Sequence, residues 1–451
     1  MKPKAVNTSR ALALNVLQDV FGAGAYANIA LSKHLNESRL SPLDRRFATE
    51  LAYGSIKAQG TLDWMIGHYL KRPLAQTDLL VVNILRLGMY QLHYLDKIPP
   101  SAAVNESVNL AKTLAHPGSS GFINAVLRSA IREPDRIRYP NIAKDPVRHI
   151  ALRECHPEWM VRRWLEKIGM EETQALCRFN NTQPPLCLRT HTLKVNRAEL
   201  VEKMIAAGVD LELSTLVPEG ILCHRSADEP LQFIRQGLCQ AQDESSMLVA
   251  HVVSPQPGEF VIDACAAPGG KSTHMATLMQ DRGRVLSVDI HAHKMGLIED
   301  NKRRLGLNII EPLQMDATQL HTVYGCQADR VLVDAPCSGL GVLRRRPDSR
   351  WRKEESLASL PDLQKNILSS AAQCVKPGGV LVYSTCTLEA RENEQVVEWF
   401  LGKNPQFALD GTGNYFPVPR PERMITLWPQ RDGTDGFFIA RMSRKLERME
   451  S

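Results

Sequence analysis

Four short apolar runs in the second half of the chain, at 260–264, 284–290, 330–334 and 379–384, are separated by stretches of helical period at 272–279, 293–305 and 360–375. Short apolar runs without polar alternation are what strands buried on both faces look like. Strands alternating with helices predict a doubly wound α/β sheet, which takes its ligand at the carboxyl ends of the strands.

A chain of 451 residues has room for more than that sheet. Up to Asp96 prolines occur only at 3, 42 and 73, and apolar residues return every three or four positions. Leu12, Leu14, Val16, Leu17 and Val20 fit one helix; Phe47, Leu51 and Ile56 fit a second; Leu79, Val82, Ile84, Leu85 and Met89 fit a nearly all-apolar third that belongs at the centre. Pro99 and Pro100 end this block, and further helix runs on to Ile131, so residues 1–140 read as an all-helical domain. Pro140 and Pro146 mark a polar linker. Over 145–240 a helix from Pro157, strand-like runs at 186–190 and 209–213, and a helix opened by Asn196 with Glu199 make a small α+β module. The sheet domain then spans 241–445.

Composition excludes several classes. Hydrophobic residues at 43% and charged residues at 23% are far from the signature of disorder. The apolar stretch from Leu79 to Tyr90 is interrupted by Asn83 and Arg86, so no membrane span is expected, and MKPKAVNTSR lacks the apolar region of a signal peptide. A cytoplasmic protein is the expectation. None of the ten cysteines forms a C-x-x-C pair, so zinc-ribbon spacing is absent and no metal is expected. The net charge of +6 is uneven: residues 1–140 hold 17 Lys and Arg against 10 Asp and Glu, and the remainder 38 against 39. The positive surplus at the N-terminal end suits a polyanion such as RNA, or is a solvated basic face; the Arg344, Arg345, Arg346 cluster is a second basic candidate.

The first strand of the sheet runs into Cys265, Ala266, Ala267, Pro268, Gly269, Gly270, Lys271 and Ser272, a small-residue turn that lets a ligand approach backbone and helix N-terminus. Gly270, Lys271 and Ser272 end like a P-loop, but that motif needs glycine where Cys265 stands. The dinucleotide fingerprint G-x-G-x-x-G is absent as well. Asp289 ends the second strand, where a carboxylate accepts both hydroxyls of a ribose, and Asp316 is placed to reach an adenine edge. Each aspartate also has a plain reading as a turn or helix cap. The third and fourth strands end in Asp334-Ala335-Pro336-Cys337 and Ser384-Thr385-Cys386, putting two cysteines at corresponding strand ends.

Together, D-A-C-A-A-P-G-G-K-S at 263–272, D-A-P-C-S-G at 334–339, S-T-C-T-L at 384–388 with Glu392, Asn393 and Glu394, and T-D-G-F-F at 434–438 resemble the S-adenosylmethionine-dependent RNA cytosine-5 methyltransferases. Residues 1 to about 140 are similar to the NusB-like, antitermination-type helical domain fused to the bacterial RsmB (Fmu/Sun) branch, so the resemblance covers nearly the whole chain. It implies a multidomain protein: an all-α NusB-like N-terminal domain, a small α+β module and a C-terminal α/β Rossmann-like methyltransferase domain. It further implies methylation of a 16S rRNA cytosine, at position 967 for that branch, by a monomer using S-adenosyl-L-methionine. The cofactor would lie against residues 265–271, Asp289, Asp316 and Asp334. Where common methyltransferases carry G-x-G in the first motif, this chain has the Cys265 to Gly270 variant of the RNA subfamily.

Carbon 5 of cytosine is a poor nucleophile until a thiolate adds at carbon 6. The resemblance implies that Cys386 attacks, Cys337 releases product, Asp334 holds nitrogen 3, and Lys271 positions base or cofactor. Two other readings are a non-catalytic RNA-binding antitermination-like factor with a decayed methyltransferase domain, and a nucleotide hydrolase. The intact Cys337, Cys386, Asp334 and Lys271 count against the first, and Cys265 against the second.

Overall fold

A computed structural model describes residues 8–224 and 229–446; the leader reading made on MKPKAVNTSR falls largely on residues 1–7, outside the described residues. The chain forms two compact units, residues 1–182 with 343–354, and residues 183–342 with 355–451.

The first unit is helical. Ser9–Ala23, Ala27–Glu37, Pro42–Lys57, Gln59–Gly67, Leu79–Tyr94, Pro100–Leu114 and Ser119–Arg132 follow one another with short connections. Starts are written in the sequence: the Ser41 hydroxyl accepts from the Asp44 N–H ahead of Pro42, and Asp78 accepts from the Leu80 N–H. Leu79–Tyr94 is buried from Val81 through Gln91 and is packed by Ser9–Ala23, Pro42–Lys57, Gln59–Gly67, Pro100–Leu114 and Ser119–Arg132. A helix apolar all round has to be central. Pro146–Arg153 and Glu158–Asn181 also belong to this unit, with the Thr61 hydroxyl donating to the Leu152 carbonyl at 2.9 Å. The sequence reading places the helix from Pro157 in the 145–240 module and names no helix at 146–153.

The chain returns to this unit at 343–354. There Arg350 is fully buried, donating to the carbonyls of Cys155 and Asn180 and to Asn181 Oδ1 at 2.8–3.1 Å, and burial pulls its guanidinium down to about 10. Trp351 Nε1 donates to the Ile56 carbonyl at 2.6 Å. The basic cluster is not a free surface: Arg344 is buried with its guanidinium 4.1 Å from the Phe179 ring centroid, while Arg346 is exposed. Removing residues 1–140 would therefore also strip support from 343–354. Arg350→Met is expected to cost about 3 kcal/mol or more, because two buried carbonyls and the half-buried Asn181 side chain lose their donor, measured as a lowered urea midpoint.

The second unit holds two sheets. The smaller runs β2-β3-β1-β4, all antiparallel, with β1 Leu186–Thr190, β2 Leu211–Leu213, β3 Gly220–Cys223 and β4 Cys239–Ala241. The helix Arg197–Ala206 that covers it is capped by Asn196, whose Oδ1 accepts from the Glu199 N–H at 2.9 Å. Strands β3 and β4 were not anticipated.

The larger sheet has eight strands: β5 Phe260–Asp263, β6 Arg284–Asp289, β7 Ile310–Gln314, β8 Ala328–Asp334, β9 Val375–Thr385, β10 Phe407–Asp410, β11 Met424–Leu427 and β12 Phe437–Arg444. Its order is β10-β12-β9-β8-β5-β6-β7, with β11 on β12. Strands β9-β8-β5-β6-β7 are parallel; β12 joins antiparallel to β9. The four apolar runs are four of these five parallel strands. Successive residues alternate between two cores: Val261, Val285, Leu332 and Val382 pack with the helices Glu244–Val253, Gly270–Leu278 and Ala292–Leu305, while Ile262, Leu286, Val331 and Leu381 pack with Leu360–Cys374 and Glu394–Lys403. From β5 the chain builds outward first through β6 and β7 and then, on the other side, through β8 and β9. That reversal leaves a crevice at the carboxyl end of β5.

Candidate active site

The cleft beside β5, of about 220 Å³, is lined by Gln240, Gln242, Asp243, Ser246, Asp263, the loop residues Cys265 to Pro268, Gly270, Lys271 and Asp334. Its wall is the small-residue turn, where Gly269 has φ +96°, a conformation that favours glycine. The middle module braces this turn. Buried Arg189 on β1 donates to the Gly270 carbonyl at 2.7 Å, to Thr273 Oγ1 at 2.9 Å and to Gln242 Oε1.

On the other side of the cleft Lys271 Nζ donates to Asp334 Oδ2 at 2.6 Å, and the Ser384 hydroxyl donates to Asp334 Oδ1 at 2.9 Å. Burial works against the charge on Lys271, but the charge and hydrogen bond of Asp334 outweigh it and hold the amine above its ordinary value. Its Nζ also lies 5.1 Å from the Phe437 ring centroid.

Beyond Asp334 the two cysteines meet. Parallel pairing of β8 with β9 puts Asp334 opposite Ser384, and a few residues further on Cys337 Sγ lies 3.4 Å from Cys386 Sγ. Both thiols are partly accessible. The hydrogen bond to Cys386, then burial, pushes Cys337 well above the usual thiol range, so Cys337 keeps its proton.

Sequence reading named Glu392 and Asn393 only as part of a motif; the structure shows what they do. Asn393 is fully buried, accepting from the Thr385 hydroxyl at 2.5 Å and donating to the Thr387 carbonyl at 2.9 Å, which holds one neighbour of Cys386 by its side chain and the other by its backbone. Glu392 Oε2 accepts from the Ser338 N–H at 2.9 Å, next to Cys337, and from Gln364 Nε2. The T-D-G-F-F segment closes over the same loops: Gly341 N–H donates to the Cys386 carbonyl and Gly436 N–H to the Gly341 carbonyl. A Cβ on Gly341 would fall 2.1 Å from the Gly436 oxygen, so the approach requires glycine.

Two predicted residues stand apart from the cleft lining. Asp289, largely buried at the end of β6, accepts from the His291 N–H at 3.0 Å and lies 3.5 Å from Lys294 Nζ. Asp316 is exposed, and its Oδ1 accepts from the N–H and hydroxyl of Thr318 at 2.9 Å, the turn-capping role that was its plain alternative.

Among the described residues one set of metal-capable side chains lies together, Glu219, His251 and His274. Both imidazole Nε2 atoms sit at hydrogen-bond distance, 2.9 and 2.8 Å, from Glu219 Oε1. A metal-bound imidazole needs a partner for its other nitrogen, and His274 Nδ1 is buried without one. Burial drops His274 to about 3, so it is a neutral donor in a buried tie between the middle module and the helices Glu244–Val253 and Gly270–Leu278.

Comparison with known proteins bears directly on this geometry. The model of the 16S rRNA methyltransferase RsmB/F family matches residues 250–443, the NusB family residues 7–132, and the RsmF/B-like ferredoxin-like domain residues 156–228. A probable ribosomal RNA small subunit methyltransferase B of Bacillus subtilis (strain 168) is 40% identical over 444 residues, covering 97% of this chain and 98% of the relative. The chain belongs to the RsmB/F methyltransferase family. A relative of the same name from Synechocystis sp. is 36% identical over 97% of this chain and 99% of its own. The crystal structure of PH0851 superposes with a TM-score of 0.81 at 26% identity, covering 98% of this chain and all of that one. The RsmB/F fold thus accounts for all three regions: NusB-like helices, ferredoxin-like middle and methyltransferase sheet. No helix among its described residues is long and apolar enough to cross a membrane.

Proposed function

We propose that this RsmB/F protein methylates carbon 5 of a cytosine in 16S rRNA, at the position 967 implied by its branch, through a covalent adduct on Cys386. The observation that carries this reading is the pair of thiols 3.4 Å apart at the ends of adjacent strands, beside an aspartate already paired with lysine. S-adenosyl-L-methionine supplies the electrophilic methyl group when bound. The residues present fit it: the cleft wall is a glycine turn at a helix N-terminus, and buried Asp263 offers it an oxygen without a hydrogen-bond partner.

Cys386 supplies the attacking sulfur, fixed by Asn393 and the Gly341 N–H. Release breaks the Cys386–carbon 6 bond as the carbon 5 proton is lost: Cys337, held protonated 3.4 Å away, gives its proton to the departing Cys386 sulfur, and the thiolate so formed takes up the carbon 5 proton. Asp334, oriented by Lys271 and Ser384, takes the ring edge at nitrogen 3, and the Lys271 ammonium paired with it meets the negative charge that sulfur addition develops there. A paired base hides carbon 6, so the target is a single-stranded or extruded cytosine.

The test is to incubate the protein with unmodified 16S rRNA and S-adenosylmethionine and to map 5-methylcytosine by bisulfite sequencing. One new 5-methylcytosine is expected; a methyl group on another atom, or none, overturns the reading. Asp289→Ala, at the end of β6 next to the cleft, is expected to weaken cofactor binding by roughly 1.5–3 kcal/mol, the range for a charge-assisted hydrogen bond. Unchanged affinity in titration calorimetry would remove Asp289 from the cofactor site.

A further inference from the structure

Two residues adjacent in sequence each hold one of the cysteine loops. Asn393 bonds to Thr385 and Thr387, the neighbours of Cys386. Glu392, together with Gln364, holds the loop of Cys337. The Ser338 N–H donates to Glu392 Oε2 at 2.9 Å, while Gln364 Nε2 donates to that same oxygen at 2.9 Å and to the Pro336 carbonyl at 3.0 Å. The Pro336 carbonyl and the Ser338 N–H belong to the two peptide groups that join Cys337 to the chain, so both are fixed.

The arrangement is enclosed. Glu392 is 2% exposed and Gln364 is fully buried. A carboxyl group is taken out of water at a cost that converging donors offset. The Gln364 amide is turned so that its NH2 meets both acceptors, although its own Oε1 is then left without a partner. Neither side chain lines the cofactor cleft.

We infer that Glu392, acting with Gln364, is a positioning residue for the release half of the reaction: it keeps the Cys337 thiol against the departing Cys386 sulfur. This rests on the proposed adduct on Cys386 and on Cys337 as the releasing thiol. Addition at carbon 6 and methyl transfer use Cys386, which has its own support in Asn393 and the Gly341 N–H. Release alone calls on Cys337, whose proton has to pass to a sulfur 3.4 Å away. A shift of about 1 Å in such a contact costs on the order of 100-fold in rate. A loop loosened at Pro336 and Ser338 therefore slows release and spares the steps before it.

The experiment compares Glu392→Ala, Gln364→Leu and Glu392→Gln with wild type and Cys337→Ala, all as full chains, on unmodified 16S rRNA with tritiated S-adenosylmethionine. Enzyme in excess reads the first methyl transfer, RNA in excess reads steady-state turnover, and denaturing electrophoresis reads the covalent adduct. Glu392→Ala and Gln364→Leu are expected to keep the first transfer within about threefold of wild type, to lose roughly 10- to 100-fold in turnover and to accumulate adduct as Cys337→Ala does. Glu392→Gln still offers an oxygen to both donors, so it should regain turnover to within about threefold of wild type and hold little adduct. Equal losses in first transfer and turnover with no adduct are what a purely structural role gives, and overturn the inference. Wild-type turnover in Glu392→Ala or Gln364→Leu, or a Glu392→Gln variant as impaired as Glu392→Ala, also overturns it. Gln364→Leu decides the matter if Glu392→Ala does not fold. An active wild type with no adduct in Cys337→Ala would instead overturn the releasing role of Cys337, and this inference with it.

Discussion

Replacing Cys386 with alanine is expected to abolish methyl transfer to RNA while leaving S-adenosylmethionine binding nearly intact. Removal of an attacking nucleophile elsewhere costs roughly 10⁴-fold or more in turnover, and Cys386 is not among the residues that line the cofactor cleft. Tritium transfer from labelled cofactor measures the first effect and titration calorimetry the second. Turnover retained within tenfold of wild type would sink the assignment of Cys386 as nucleophile.

Cys337→Ala is expected to behave differently, although the two sulfurs lie 3.4 Å apart. With Cys386 and its grip by Asn393 intact, addition at carbon 6 and methyl transfer proceed, but the protonated thiol that assists release is gone. Protein joined covalently to RNA should accumulate and survive denaturing electrophoresis, approaching one adduct per active enzyme. If Cys386→Ala traps the adduct and Cys337→Ala does not, the two roles are reversed.

Much of the architecture was legible because local pattern and global fold agree. The parallel strands β5, β6, β8 and β9 are buried on both faces, so their sequences had to be apolar runs. The helix Leu79–Tyr94 had to be central because it has no polar face to show to water. Strand β7 escaped because it contains Glu311 and Pro312; it lies at the edge of the sheet, where a proline's missing N–H is tolerated. Strand β12 escaped for another reason. Arg441 interrupts it as a polar residue, yet is buried, its guanidinium donating to Asp410 and to the carbonyls of Val252 and Val253. Those partners lie 31 and nearly 190 positions away, so no local window contains them.

The sequence by itself determined which residue types stand at the strand ends: the Cys265 to Lys271 turn, Asp334, Cys337 and Cys386 are recognisable there. Tertiary structure alone decided how they are brought together. The meeting of Cys337 with Cys386 depends on β8 lying next to β9 in the register that pairs Asp334 with Ser384, a consequence of strand order. The return of 343–354 to the helical unit depends on Arg350 and Trp351 finding buried acceptors there. The burial of Asp263 is a property of its surroundings as well: an aspartate ending a strand is ordinary in sequence, and only the packing around β5 encloses it beside the cleft.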